Sequence, residues 1–187
     1  MRHLFLKTSV SLAIAAASVA AHAVDGTVTI NGAISATTCT VSVSGGGATG
    51  TVTLPTIGAS ALAGSGAVAG STAFSIAVSA CTTSQASMAP YFESAGSSAF
   101  NGAGRVTTSV SGVDIQILNS AGSAVDLNGT ATVSGGFTGQ NVPTVSFNGS
   151  NPSKAATSNF VARYYSTAAS VGTGAVSVNL AYTIAYQ

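Results

Sequence analysis

Tryptophan is absent from the 187 residues, and charge is nearly so: five Lys or Arg and four Asp or Glu make up 5% of the chain. So sparse a charge gives no basic footprint for nucleic acid or anionic lipid. Histidine occurs only at His3 and His22, and carboxylates only at Asp25, Glu93, Asp114 and Asp126. Hydrolysis needs a positioned base, and metal binding needs clustered ligands, so both chemistries start from almost nothing. No catalytic residue, metal ligand set or cofactor site is assigned, and neither an enzyme nor a small-molecule substrate is expected. The longest apolar run, about Val10 to Ala20, is shorter than the roughly 20 residues of a membrane-spanning helix.

The chain is nevertheless 46% hydrophobic with a formal net charge of +1, the opposite of the low hydrophobicity and high charge of disordered segments. Its polar surface must consist of hydroxyls and amides. Such a surface lacks the repulsion that keeps soluble proteins apart, and suits a subunit packed against copies of itself.

The opening "MRHLFLKTSVSLAIAAASVAAHA" has a basic start at Arg2 and Lys7, an apolar centre, and a small-x-small end at Ala21, His22 and Ala23. It predicts a signal peptide over residues 1–23, cleaved after Ala23. Removing 23 of the 187 residues leaves 164, enough for one domain with one core. Both histidines leave with it, and Arg105, Lys154 and Arg163 remain as the basic residues. In an exported chain Cys39 and Cys81 are expected to form a disulfide, worth about 4 kcal/mol in the chain-entropy description.

Strand signals recur at short intervals between Gly, Ser and Asn clusters, with no sustained helical period. They fall at Cys39 to Val43, Gly50 to Leu54, Thr72 to Cys81, Gly112 to Leu127 (two runs about a turn), Pro143 onward, Asn159 to Ser166, and Val176 to Tyr186. Pro55 to Ser71 reads as a loop; its "GSGAVAG" has the wrong spacing for phosphate binding and precedes no helix. Seven or more short strands in one disulfide-linked exported domain predict a β-sandwich, with an immunoglobulin-like Greek key leading. Asp114 and Asp126 read as solvated acids flanking a turn rather than a glycosidase pair. Tyr91, Tyr164 and Tyr165 read as packing residues rather than a sugar platform.

The segment Val24 to Cys39 alternates strictly: Gly26, Val28, Ile30, Gly32 and Ile34 share one face. Only about five residues separate Ile34 from Cys39, so folding this strand back into its own sandwich is awkward. A strand that is hard to use at home suits another molecule's sheet.

Taken in order, the signal peptide, "DGTVTINGAISATTCTV", the paired cysteines, "GVDIQILNSAGSAVDL", "NFVARYY" and the alternating end with Tyr186 resemble a type 1 fimbrial subunit of the chaperone–usher class. The resemblance covers essentially all of the mature chain. It implies an all-β, incomplete immunoglobulin-like sandwich lacking its last strand, completed by a donor strand from a neighbouring subunit. Donor-strand complementation of pilins is a known form of β-augmentation. Mapped here, residues 24–37 are the donor extension and residues 38–187 the pilin domain, with Val28, Ile30 and Ile34 filling a groove and Gly26 and Gly32 crossing its narrow parts. Val176, Val178, Leu180, Tyr182, Ile184 and Tyr186 border that groove, and a periplasmic chaperone holds the carboxylate of Gln187. Further implied partners are other pilin subunits and an outer-membrane usher. The implied location is a bacterial surface fimbria, reached through the periplasm, that supports adhesion or biofilm formation. A tip adhesin or carbohydrate-binding module is the alternative, and a small outer-membrane β-barrel a more distant one, disfavoured by the absence of Trp girdles.

Overall fold

Alternating apolar residues fold into eight strands among the described residues of the computed structural model, which are 28, 29, 32, 34, 38–96, 98–130 and 138–187. The expected signal peptide lies outside them, as do Gly26, Ile30 and most of the expected extension. The chain divides into Met1–Ser35 and Ala36–Gln187, and the strands belong to the second unit. They are β1 (Thr38–Val43), β2 (Val68–Thr82), β3 (Ser87–Ser94), β4 (Val106–Thr107), β5 (Val113–Leu118), β6 (Val145–Ser146), β7 (Lys154–Ser166) and β8 (Leu180–Tyr186).

One sheet has the order β1-β2-β7-β5-β4 and the other β6-β3-β8. Every pairing is antiparallel. Inward side chains of both sheets meet in one core, with Ile76, Ile115, Ile117 and Phe160 from the larger sheet and Ala89 and Phe92 from the smaller. Phe92 meets Phe160 edge-on at 5.1 Å, and Phe74 stacks on Phe160 at 5.4 Å, geometries that aromatic quadrupoles favour. β7 pairs with β2 on one side and β5 on the other, and all six residues of β5 are buried. Cys39 of β1 and Cys81 of β2 are bonded, with Cα atoms 4.2 Å apart.

Two glycines are required by close approach. At Gly70 (φ +67°) a Cβ would stand 2.8 Å from the Tyr164 ring, and at Gly50 it would stand 2.7 Å from the Val43 side chain. The first lets Tyr164 lie against β2; the second lets the chain fold back over the end of β1.

Several strand expectations shift. β2 begins at Val68, inside the segment read as a loop, and β7 begins five residues before Asn159. The second run of the Gly112 to Leu127 hairpin makes only a bridge, Leu118 to Ala124. β3 was not anticipated, because "SMAPYFES" holds a proline and does not alternate cleanly. Its geometry explains the proline. Ser87 and Gln187 exchange backbone bonds at 2.8 Å, so by alternation Ala89, Tyr91 and Glu93 face β8, and Met88, Pro90 and Phe92 face away. Pro90 therefore lacks an N–H on the side where β6 has already ended.

The largest departures are Gly50 to Leu54 and Val176 to Asn179. Neither is a strand, and β8 is confined to Leu180–Tyr186. Yet both segments keep their alternation: Val52, Leu54, Val176 and Val178 turn toward the core cluster, while Thr51, Thr53, Ser177 and Asn179 are exposed. The period is that of a strand, but the ladder partner is missing.

Candidate functional site

The two partnerless segments face each other across a groove of about 720 Å³. One lip runs from Ala48 to Leu54 and the other from Val176 to Tyr182; the floor includes Ile76, Phe92, Ile115, Ile117 and Tyr164. Thr49 to Leu54 make no backbone hydrogen bond to any described residue. On the other lip, alternation from the Ser87–Gln187 pair directs the backbone groups of Leu180, Tyr182, Ile184 and Tyr186 away from β3. β8 is the last strand of its sheet, so these groups form an open edge. Their side chains pack against the core clusters.

The resulting arrangement is an apolar trench with the open edge of β8 on one side and the unpaired backbone of Thr49 to Leu54 on the other. An open edge of this kind is a template for pairing, and the apolar side chains along the lips, Val52, Leu54, Val176 and Val178, stay partly exposed until something covers them. The site can bind an extended segment that offers backbone hydrogen bonds and alternate apolar side chains.

Of the residues expected to border the groove, Val176, Val178, Leu180 and Tyr182 line it. Ile184 packs against the same core, whereas Tyr186 belongs to a separate cluster and stacks on Phe147 at 6.3 Å. Gln187 accepts the N–H groups of Ala86 and Ser87 at 2.6 and 2.8 Å. Burial raises the pKa of the Tyr182 and Tyr186 phenols above the ordinary value. The Tyr182 hydroxyl reaches the opposite lip and donates to the Ala48 carbonyl at 2.5 Å.

Of the expected donor residues, Val28 is 90% exposed and Ile34 fully so, an unfavourable place for β-branched apolar side chains. A Cβ on Gly32 would meet nothing within 4 Å.

Sequence reasoning overlooked the second lip. In sequence Val52 and Leu54 read as an ordinary strand and Tyr164 as general packing; the one signal is that the run from Gly50 to Leu54 is short and bounded by glycine and proline. Asp114 is not a solvated acid. It is buried, bonded to Arg105 at 3.2 Å and to Asn101. Asp126 accepts the Asn128 N–H. Tyr91 donates to Gly129, and Tyr165 lies under the Arg105 guanidinium at 4.0 Å. Among the described residues no group of three His, Cys, Asp or Glu side chains could hold a metal ion.

The family model of type-1 fimbrial protein A (FimA) matches residues 54–187. This chain belongs to the type-1 fimbrial protein family. It is 38% identical to the major fimbrial subunit SMF-1 of Stenotrophomonas maltophilia over 93% of this chain and 99% of that one. It is 36% identical to the F17 fimbrial protein of Escherichia coli over 92% and 93% of the two chains. Among solved structures, a type I fimbria protein and antigen of Burkholderia pseudomallei shares its fold with a TM-score of 0.51 at 19% identity, covering 80% of this chain and 97% of that one. A subunit from a chaperone–usher pilus structure concerned with rod uncoiling does so with a TM-score of 0.57 at 17% identity, covering 87% and 95%. The fold is thus the all-β, incomplete immunoglobulin-like sandwich of such pilins. The fimbrial chain is a structural subunit that joins other subunits in a cell-surface fimbria.

Proposed function

We propose that the groove is filled by a strand from another molecule, first a periplasmic chaperone and then residues 24–37 of the next subunit, delivered at an outer-membrane usher. The observation that carries this reading is the pair of alternating, ladderless segments, Thr51 to Leu54 and Val176 to Asn179, facing each other across an apolar trench. An incoming backbone satisfies both edges at once, and alternate side chains enter the trench. Burying Val28, Ile30 and Ile34 together contributes on the order of 5 to 8 kcal/mol.

Exchange proceeds without nucleotide hydrolysis, because the next subunit's donor packs more tightly than the chaperone strand. Each subunit gives its extension to one neighbour and accepts one from another. Such head-to-tail contacts do not close and produce a filament. A filament joined this way dissociates slowly, so its durability is kinetic. The hydroxyl-rich, nearly uncharged surface suits lateral packing of turns in a rod, and the assembled fibre serves adhesion or biofilm formation.

Deleting Val24 to Ile34 tests the assignment. The shortened chain is expected to copurify with its chaperone and to form no fibres by electron microscopy. Fibres of normal length from the deletion variant would overturn it.

A further inference from the structure

The two lips of the groove are joined at a single point. Among the described residues, the only hydrogen bond between Ala48–Leu54 and Val176–Gln187 is the one from the Tyr182 hydroxyl to the Ala48 carbonyl. Packing does not require that hydroxyl: the Tyr182 ring joins Leu180 and Ile184 against the core, a task phenylalanine would perform equally. Ala48 is also held from behind. The Val43 N–H donates to Gly47, the Gly46 N–H donates to Val43, and Gly50 is pressed against the Val43 side chain. The carbonyl that receives the phenol thus sits on a turn folded onto the end of β1, and the bond ties β8 to the opposite sheet.

An inserted strand lies about 4.8 Å from each neighbour. The backbones of the two lips in a filled groove are therefore roughly 10 Å apart, with the donor backbone between them. In the empty groove the Tyr182 hydroxyl reaches the Ala48 carbonyl on the opposite lip.

We propose that the Tyr182–Ala48 hydrogen bond is a latch that holds the lips of the empty groove together and must open before a strand enters. Tyr182 then governs how fast the groove accepts a strand, and leaves the durability of the filled state to the ladder and the buried side chains. This inference rests on the groove being a strand acceptor.

The test uses the full chain and its Tyr182→Phe variant, with a fluorescent synthetic peptide of residues 24–37 as the probe in large excess. Uptake is followed by anisotropy, and native mass spectrometry separates peptide-filled from self-joined chains. Losing one neutral hydrogen bond is expected to accelerate uptake about fivefold, with the rate of peptide loss unchanged. Uptake by the Phe variant that is equal to or slower than that of the parent would overturn the latch while leaving strand acceptance intact. Failure of both proteins to take up the peptide would instead overturn strand acceptance, and the latch with it.

Discussion

The side-chain amide of Gln140 bonds both backbone groups of Phe92: the Phe92 N–H donates to Oε1 at 2.8 Å, and Nε2 donates to the Phe92 carbonyl at 2.7 Å. Gln140 is fully buried, and Phe92 nearly so. β6 pairs only with Ser87 and Met88, so beyond it one primary amide does the work of a neighbouring strand. The amide suits this because it carries a donor and an acceptor side by side, as a peptide unit does.

Gln140→Leu keeps the volume and strands both Phe92 groups in the core. Each buried unsatisfied group costs about 1–3 kcal/mol. The variant is expected to lose roughly 2–6 kcal/mol in denaturant unfolding of the strand-filled subunit. A loss below 1 kcal/mol, on the order of an exposed substitution, would mean that water replaces the amide.

Gly32→Val adds its Cβ where no described atom lies within 4 Å. Folding is therefore expected to be unaffected, and the penalty to appear only when the segment enters a neighbour's groove. Size-exclusion chromatography should show unpolymerised, chaperone-bound subunits, and Gly26→Val should behave alike. Normal polymerisation of either variant would make that glycine a spacer.

Replacing both cysteines by serine removes the bond between Cys39 and Cys81, which are 42 residues apart in sequence. A loop of that length is worth about 4 kcal/mol. The double variant should unfold at correspondingly lower denaturant, and adding reductant to the parent should approach the same midpoint.

Burial raises the pKa of Tyr182 and Tyr186 above the ordinary 10.0. Folding therefore favours the neutral phenols: their contribution is complete below pH 10 and is lost as pH rises through the raised values. A phenolate at Tyr182 also cannot donate to Ala48. Thermal midpoints are expected to fall above pH 10, and the fall should shrink in a Tyr182→Phe, Tyr186→Phe double variant. An identical alkaline profile for that variant would assign the loss to other groups.

Much of the fold was legible because apolar alternation survives in it. Leu180, Tyr182, Ile184 and Tyr186 form a strand where their period places one, and Phe160 and Ala162 face the core on β7. Cys39 and Cys81 pair as an exported chain implies. Other features depend on distant partners. β3 is recognisable only once its N–H directions are known, since Pro90 is tolerable on one side and not on the other. Gln140 has no neighbour in sequence that marks it as a surrogate strand. Gly50 to Leu54 illustrates a different limit: the period was read correctly, but period does not reveal whether a ladder partner exists. The opposing lip and the Tyr182 bond across it follow from tertiary geometry alone.

The disulfide also determines how a pull on the segment before Thr38 travels through the domain. β1 is an edge strand, and traction at its first residue would ordinarily peel it from β2 one hydrogen bond at a time. Cys39, one residue further on, passes the tension covalently to Cys81 near the end of β2. β2 pairs with β7 from Val68 to Cys81, so force directed along that ladder loads many bonds together in shear instead of in succession. A crosslink that looks like a thermodynamic staple is, mechanically, the point where traction leaves an edge strand for the longest ladder among the described strands.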